Sequence, residues 1–245
     1  MINKFFTVEV KPTIVASKQA LGAFSAKDVL FDWTAFDVPK GASRLIDVSL
    51  MVRGTDGVYQ EKDTVLYFAK SKGGGRTAPG SIGTVHATAN GNGYFDNVIG
   101  AVQIMTTDFK EGLDSLSVAT LGHGAASNQS PNIILEGEPI SGTNVGYDKL
   151  YVASTCGAYN FASTVQVSTE TATSTSALVV KTTDARLCFA VGDVLHDEDD
   201  QLIGTIKTIT DATNIVLEDN AANVSAVNKD LYNINPIKII LSFEK

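Results

Sequence analysis

The chain has 245 residues, 44% hydrophobic and 19% charged, which is the make-up of a folded protein with length for one large β domain or two ordinary ones. Its formal net charge of −8, with the basic residues scattered singly, argues against the clustered Lys/Arg face that a phosphate backbone requires. No apolar run approaches the ~20 residues of a membrane helix, and Met1 to Phe6 is too short an apolar stretch for a signal peptide. These features predict a soluble chain made in a cytoplasm without processing, with neither nucleic acid nor membrane as a partner.

Helical periodicity is scarce, and Thr, Val, Ile and Ser dominate between dispersed glycines, which favours strands. In chain order, Leu30-Phe31-Asp32-Trp33-Thr34-Ala35-Phe36 reads as a core strand with Trp33 in the core. Leu45 to Arg53 alternates with a period of two, placing Ile46, Val48, Leu50 and Val52 on a buried face and Asp47, Ser49 and Arg53 opposite. Asp56-Gly57 is a hairpin dipeptide. Thr64 to Ala69 is a further strand, and so is Asn97 to Thr106, where Val98, Val102 and Ile104 share a face and Gly100 marks a close approach. Asn90-Gly91-Asn92-Gly93 forms a turn before it. Leu116 to Leu121, Ile133 to Leu135 and Tyr147 to Ala153 complete this region. Lys72 to Gly80 and Gly122 to Pro131 are long loops of the kind that carry function or order on a partner.

These short, turn-punctuated strands predict an all-β protein whose residues 1–162 form a β-sandwich or jelly-roll-like main domain. From Ser163 the composition shifts to Ser and Thr. Three short β-type runs follow, Phe189 to Val194, Leu202 to Ile206 and Ile215 to Leu217, separated by the acidic turn and by Ala212-Thr213-Asn214. They predict a small β-barrel module over 163–245. That part holds 12 acidic and 6 basic residues, against 15 and 13 in residues 1–162. Ile237, Ile239, Leu241 and Phe243 alternate cleanly in the final segment, 236–245. Two organisations are open: a tandem pair of domains, or a module (about Ser163 to Tyr232) inserted so that the last strand returns to the first sheet.

Candidates for chemistry are few, and no catalytic residue or cofactor is predicted. His86, His123 and His196 share no ligand spacing, so no metal site is read from them. Gly73-Gly74-Gly75-Arg76-Thr77 lacks the Lys-Ser/Thr of a phosphate loop, and Pro79-Gly80-Ser81-Ile82-Gly83 fails as a nucleophile elbow at its first position. Asp197-Glu198-Asp199-Asp200 is the best cation candidate, but it lacks the glycine and glutamate of an EF-hand loop and reads as a solvated hairpin tip that discourages edge-to-edge association. Cys156 and Cys188 read as two buried free thiols.

Phe189-Ala190-Val191-Gly192-Asp193-Val194, Gln201-Leu202-Ile203-Gly204-Thr205-Ile206 and Leu231-Tyr232-Asn233-Ile234-Asn235-Pro236-Ile237 resemble the small β-barrel modules of tailed-bacteriophage virion structural proteins, most closely capsid decoration proteins of marine phages. The resemblance covers about a third of the chain and includes no catalytic residues. It implies a non-enzymatic head-surface protein, assembled in the host cytoplasm, that binds the lattice of the major capsid protein as a homo-oligomer, commonly a trimer. It also implies contact segments. Phe5, Val8, Val10 and Pro12 lie in an N-terminal stretch that is either an arm or an ordinary first strand. Arg76 and Pro79 lie in the first long loop and Pro131 in the second. A tail- or fibre-associated glycan- or receptor-binding module is the alternative, and a hydrolase with converging carboxylates is a third.

Overall fold

The computed structural model describes residues 4–38, 41–70, 78–85, 91–95, 97–122, 131–136 and 149–245. About half of the described residues are strand and 6% are helix, so among them helices serve only in connections. Four antiparallel pairings organise the first part. β4 (Thr64–Ala69) pairs with β5 (Val98–Ile104), and β3 (Ala42–Arg53) pairs with β7 (Leu116–Leu121). Outside these, β2 (Asp28–Asp37) pairs with β9 (Lys149–Cys156), and β1 (Phe5–Val10) pairs with β16 (Ile237–Glu244). The chain thus doubles back as one long hairpin. This hairpin rolls into two sheets, β1-β16-β3-β7 and β2-β9-β4-β5, which is the connectivity of a jelly roll. β6 (Phe109–Leu113) extends the first sheet beyond β7, and β8 (Ile133–Glu136) pairs with the first residues of β3.

One core fills the space between the sheets. From the first it takes Leu45, Val48, Leu50, Val52, Ile237, Ile239, Leu241 and Phe243, and from the second Leu30, Phe31, Phe36, Leu66, Phe68, Val102, Ile104, Leu150 and Val152. The alternation in β16 is complete, and its four inward side chains are fully buried. Each contributes about 1.5–3 kcal/mol relative to exposure. Phe243 stacks on Phe6 at 5.0 Å and meets Phe36 of the opposite sheet at 6.4 Å.

Three side chains differ from the alternation read off the sequence, each beside a break in strand register. In β3 the pairing slips opposite Ser242 and Phe243, which leaves Ile46 as the extra residue of a β-bulge. Leu45 is therefore buried, and Ile46 is only half-buried. In β5 a slip between the partners of Phe68 and Ala69 turns Ile99, rather than Val98, against the core. In β2 the register breaks twice between Val29 and Thr34. There Asp32 accepts a bond from the Trp33 backbone N–H at 2.6 Å, and Trp33 ends half-buried and outside the core. Gly100 does mark a close approach: a Cβ there would lie 2.9 Å from Ile133 side-chain carbons.

β16 lies between β1 and β3, so the residues between β9 and β16 are interposed in the jelly roll. They build a second sheet system in the order β10 (Gln166–Val167), β11 (Ala177–Lys181), β14 (Asn214–Leu217), β13 (Leu202–Ile209), β12 (Val194–Asp197) and β15 (Leu231–Asn233). The ends nearly close into a barrel: the Val167 N–H donates to Lys229 O and the Leu231 N–H to Val165 O, both at 2.9 Å. Its separate core includes Val165, Val167, Leu178, Val180, Leu195, Ile203, Ile206, Ile215, Leu217 and Leu231. The expected strand over Phe189 to Val194 is instead a turn, with β12 starting only at Val194. Gly192 adopts φ 88°, and the Asp193 carboxylate accepts the Ala190 N–H at 2.8 Å, which bends the backbone out of extension.

Candidate functional site

The polar side chains that the fold brings together converge at the junction between barrel and jelly roll. β3 delivers Arg53 and the turn that follows it. Asp56 and Gly57 take φ 56° and 73° and the Val58 N–H donates to Thr55 O, so this is a primed turn that suits the Asp-Gly pair. Its tip docks on the barrel. Asp56 Oδ1 accepts from Thr164 Oγ1 at 2.7 Å and from the Cys188 thiol at 3.2 Å. Arg53 forms an ion pair with Asp193. Gly54 is required here because a Cβ would fall 1.8 Å from Val58 O.

The segment after β1 makes the second set of bonds. Helix α1 (Ala16–Gln19) presents Gln19, 2% exposed, whose Nε2 donates to Ile14 O at 2.6 Å and Asn233 O at 2.9 Å. The Ser17 N–H donates to Asp200 Oδ1 at 2.9 Å, and Asn235 Nδ2 donates to Pro12 O at 3.0 Å. The linker into the barrel is also fixed. Tyr159 is fully buried, stacks on Phe161 at 5.6 Å, and places its hydroxyl within 2.9 Å of Thr64 Oγ1. Burial pushes its phenol well above the ordinary range.

A cleft of about 240 Å³ runs along this junction, lined by Lys11, Met51, Arg53, Asp193, Asn233 and Lys238 among others. Glu9 bridges two of its lysines, 3.1 Å from Lys11 and 3.8 Å from Lys238, and this pairing lowers the Glu9 carboxyl below its ordinary value. Asn233 is 7% exposed. Its Oδ1 accepts the Asn235 N–H at 2.8 Å, while its Nδ2 has no hydrogen-bond partner.

The acidic turn is already committed to holding structure. Asp197, 3% exposed, accepts from the Asp199 and Gln201 N–H groups at 3.1 and 3.0 Å and from Ser225 Oγ at 3.2 Å. Glu198 and Asp199 each lie 2.7 Å from Lys229, whose ammonium is held well above its usual range by them. Asp200 bonds Ser17, as above. Among the described residues no group of three or more His, Cys, Asp or Glu is arranged to hold a metal ion. His196 Nδ1 donates to Asp200 O at 2.9 Å, while His86 and His123 lie outside the described residues. Cys156 and Cys188 are free and buried, in different cores. Burial pushes both thiols up to about 12.

The contact residues expected from the sequence are not brought to one place. Phe5 is 67% exposed on edge strand β1, Val8 is half-buried, and Val10 belongs to the core. Residues 5–10 are thus a paired strand, not an arm. Pro12 and Pro79 are buried within the chain and Pro131 is half-buried, while Arg76 lies outside the described residues. Pairing with β16 explains why Val10 is unavailable, since every second residue of β1 faces the jelly-roll core. The junction residues themselves were missed. Arg53, Asp56, Asp193 and Asn233 are joined only by tertiary pairing, although Asp56-Gly57 was visible as a turn signal.

No family model, no curated protein and no solved structure matches this chain. Its class is therefore the one the fold defines: an all-β protein, a jelly roll carrying an interposed small barrel. No helix among the described residues is long and apolar enough to cross a membrane.

Proposed function

We propose that this chain is a non-enzymatic structural protein of a virion, a decoration protein that binds the capsid surface and stabilises its lattice by protein–protein contact. The observation that carries the reading is the junction. The side chains of Arg53, Asp56 and Gln19 and the backbone N–H of Ser17 fasten the barrel to the jelly roll, which suits a block that carries load as a unit. Asp197 is engaged in holding its turn, and the two thiols are buried in the cores. Jelly rolls recur in viral capsid and lectin domains, which is an argument by analogy of fold. Purified protein added to tailed-phage capsid shells tests this. Saturable co-sedimentation, a raised shell melting temperature and a trimeric mass by light scattering are expected. A monomer with no affinity for shells overturns the proposal.

A glycan- or receptor-binding role on a tail or fibre is the second reading, and the half-buried position of Trp33 favours it. A glycan array, run with and without calcium, would give hits lost in Trp33→Ala. An array without hits removes this reading.

A further inference from the structure

The cleft between barrel and jelly roll has features of a binding site that the structural role does not need. We propose that it binds a carboxylate of an acidic polypeptide, an Asp or Glu side chain of a partner protein, between Lys11, Lys238 and the Asn233 amide. In a chain of net charge −8 the cleft is lined by three cations, Lys11, Arg53 and Lys238, and one carboxylate, Asp193, with Glu9 paired to two of the cations. Asp193 is spent on Arg53 and on the Ala190 N–H. Glu9 shares its charge between two lysines, one of them at only 3.8 Å, so an incoming carboxylate meets a net positive mouth.

The Asn233 side chain supplies the second, independent sign. A buried amide whose oxygen is bonded and whose N–H₂ is not carries the cost of desolvation until an acceptor arrives. Asn233 lines both this cleft and a neighbouring cavity of about 20 Å³, and Met51 and Pro236 give the cleft an apolar flank. An ammonium pair, one neutral donor and an apolar wall suit a carboxylate on a short methylene stem. At about 240 Å³ the cleft takes a side chain and not a nucleotide. The site does not depend on the virion reading, since any protein with an exposed acidic loop could supply the group.

The test is a titration of ¹⁵N-labelled full-length protein with the peptide acetyl-Ala-Glu-Glu-Ala-amide, following the Asn233 side-chain N–H₂ resonances. Saturable shifts are expected, weakened by about tenfold or more in the surface double variant Lys11→Gln/Lys238→Gln. The Gln-for-Glu peptide is expected to give none. Peptide binding that leaves the Asn233 amide unmoved, equal shifts with the Gln peptide, or undiminished binding in the double variant would each overturn the proposal. So would a response to inorganic phosphate as strong as that to the peptide. Loss of shell binding with these shifts intact would refute the virion reading alone.

Discussion

Arg53 and Asp193, 140 residues apart, form an ion pair across the junction while the same Asp193 oxygen accepts the Ala190 N–H. One carboxylate therefore both shapes the turn before β12 and fastens it to β3. Asp193→Ala removes both functions and is expected to cost about 2 kcal/mol, reduced from a fully buried pair because Arg53 retains solvent contact. Asp193→Asn keeps an acceptor for Ala190 and is expected to cost about 1 kcal/mol. Urea denaturation of the two variants measures the difference, and equal losses would show that the turn bond contributes nothing.

Gly54 is the least replaceable residue of the junction. A methyl group there meets backbone oxygens of Val58 and Ser115, at 1.8 and 2.8 Å, which no side-chain rotation relieves. Gly54→Ala is expected to destabilise the protein by about 3 kcal/mol or to prevent folding. The control is Gly22→Ser, where a Cβ meets nothing within 4 Å and the only strain is a φ of 91°. Its expected cost is about 1 kcal/mol.

Both thiols are expected to resist a disulfide-exchange reagent at pH 8 in the native protein and to react fully in denaturant. Thiolates are the nucleophiles, and burial holds both groups up to about 12. Cys188→Ser should be tolerated because a hydroxyl can still donate to Asp56, whereas Cys188→Ala leaves that acceptor one donor short and is expected to cost about 1 kcal/mol. Rapid native labelling would contradict the packing described.

Asp47 makes stability depend on pH. Partial burial raises its carboxyl above the ordinary value, with the Ser49 hydroxyl opposing. A carboxyl raised by folding contributes stability that is present below the unfolded value of about 4 and lost as pH rises through the folded one. Asp47→Asn is therefore expected to stabilise the protein at pH 7 by roughly 0.5 kcal/mol, discounted for solvent screening, with the gain vanishing near pH 3. Paired denaturation curves at the two pH values check the sign.

Most of the jelly roll was legible because its strands carry a period of two with few exceptions, as in β16. Ile46, Val98 and Trp33 were misplaced because a β-bulge shifts the phase without any residue that announces it. Phe189 to Val194 misled for a different reason: its apolar content suits a strand, but Gly192 and Asp193 impose a turn. The junction was invisible because Arg53 and Asp193, or Gln19 and Asn233, meet only after the long hairpin has rolled up, and neither charge nor spacing marks a partner more than a hundred residues away.

The position of β16 also bears on how the protein is made. Leu50 of β3 waits for Ile239, and the whole barrel is translated in between. The barrel can collect its own apolar residues as it emerges, whereas β1 and β3 hold open hydrogen-bonding edges until the later segment arrives. During synthesis the nascent jelly roll is thus the aggregation-exposed species, and chaperone demand should fall on it until β16 emerges.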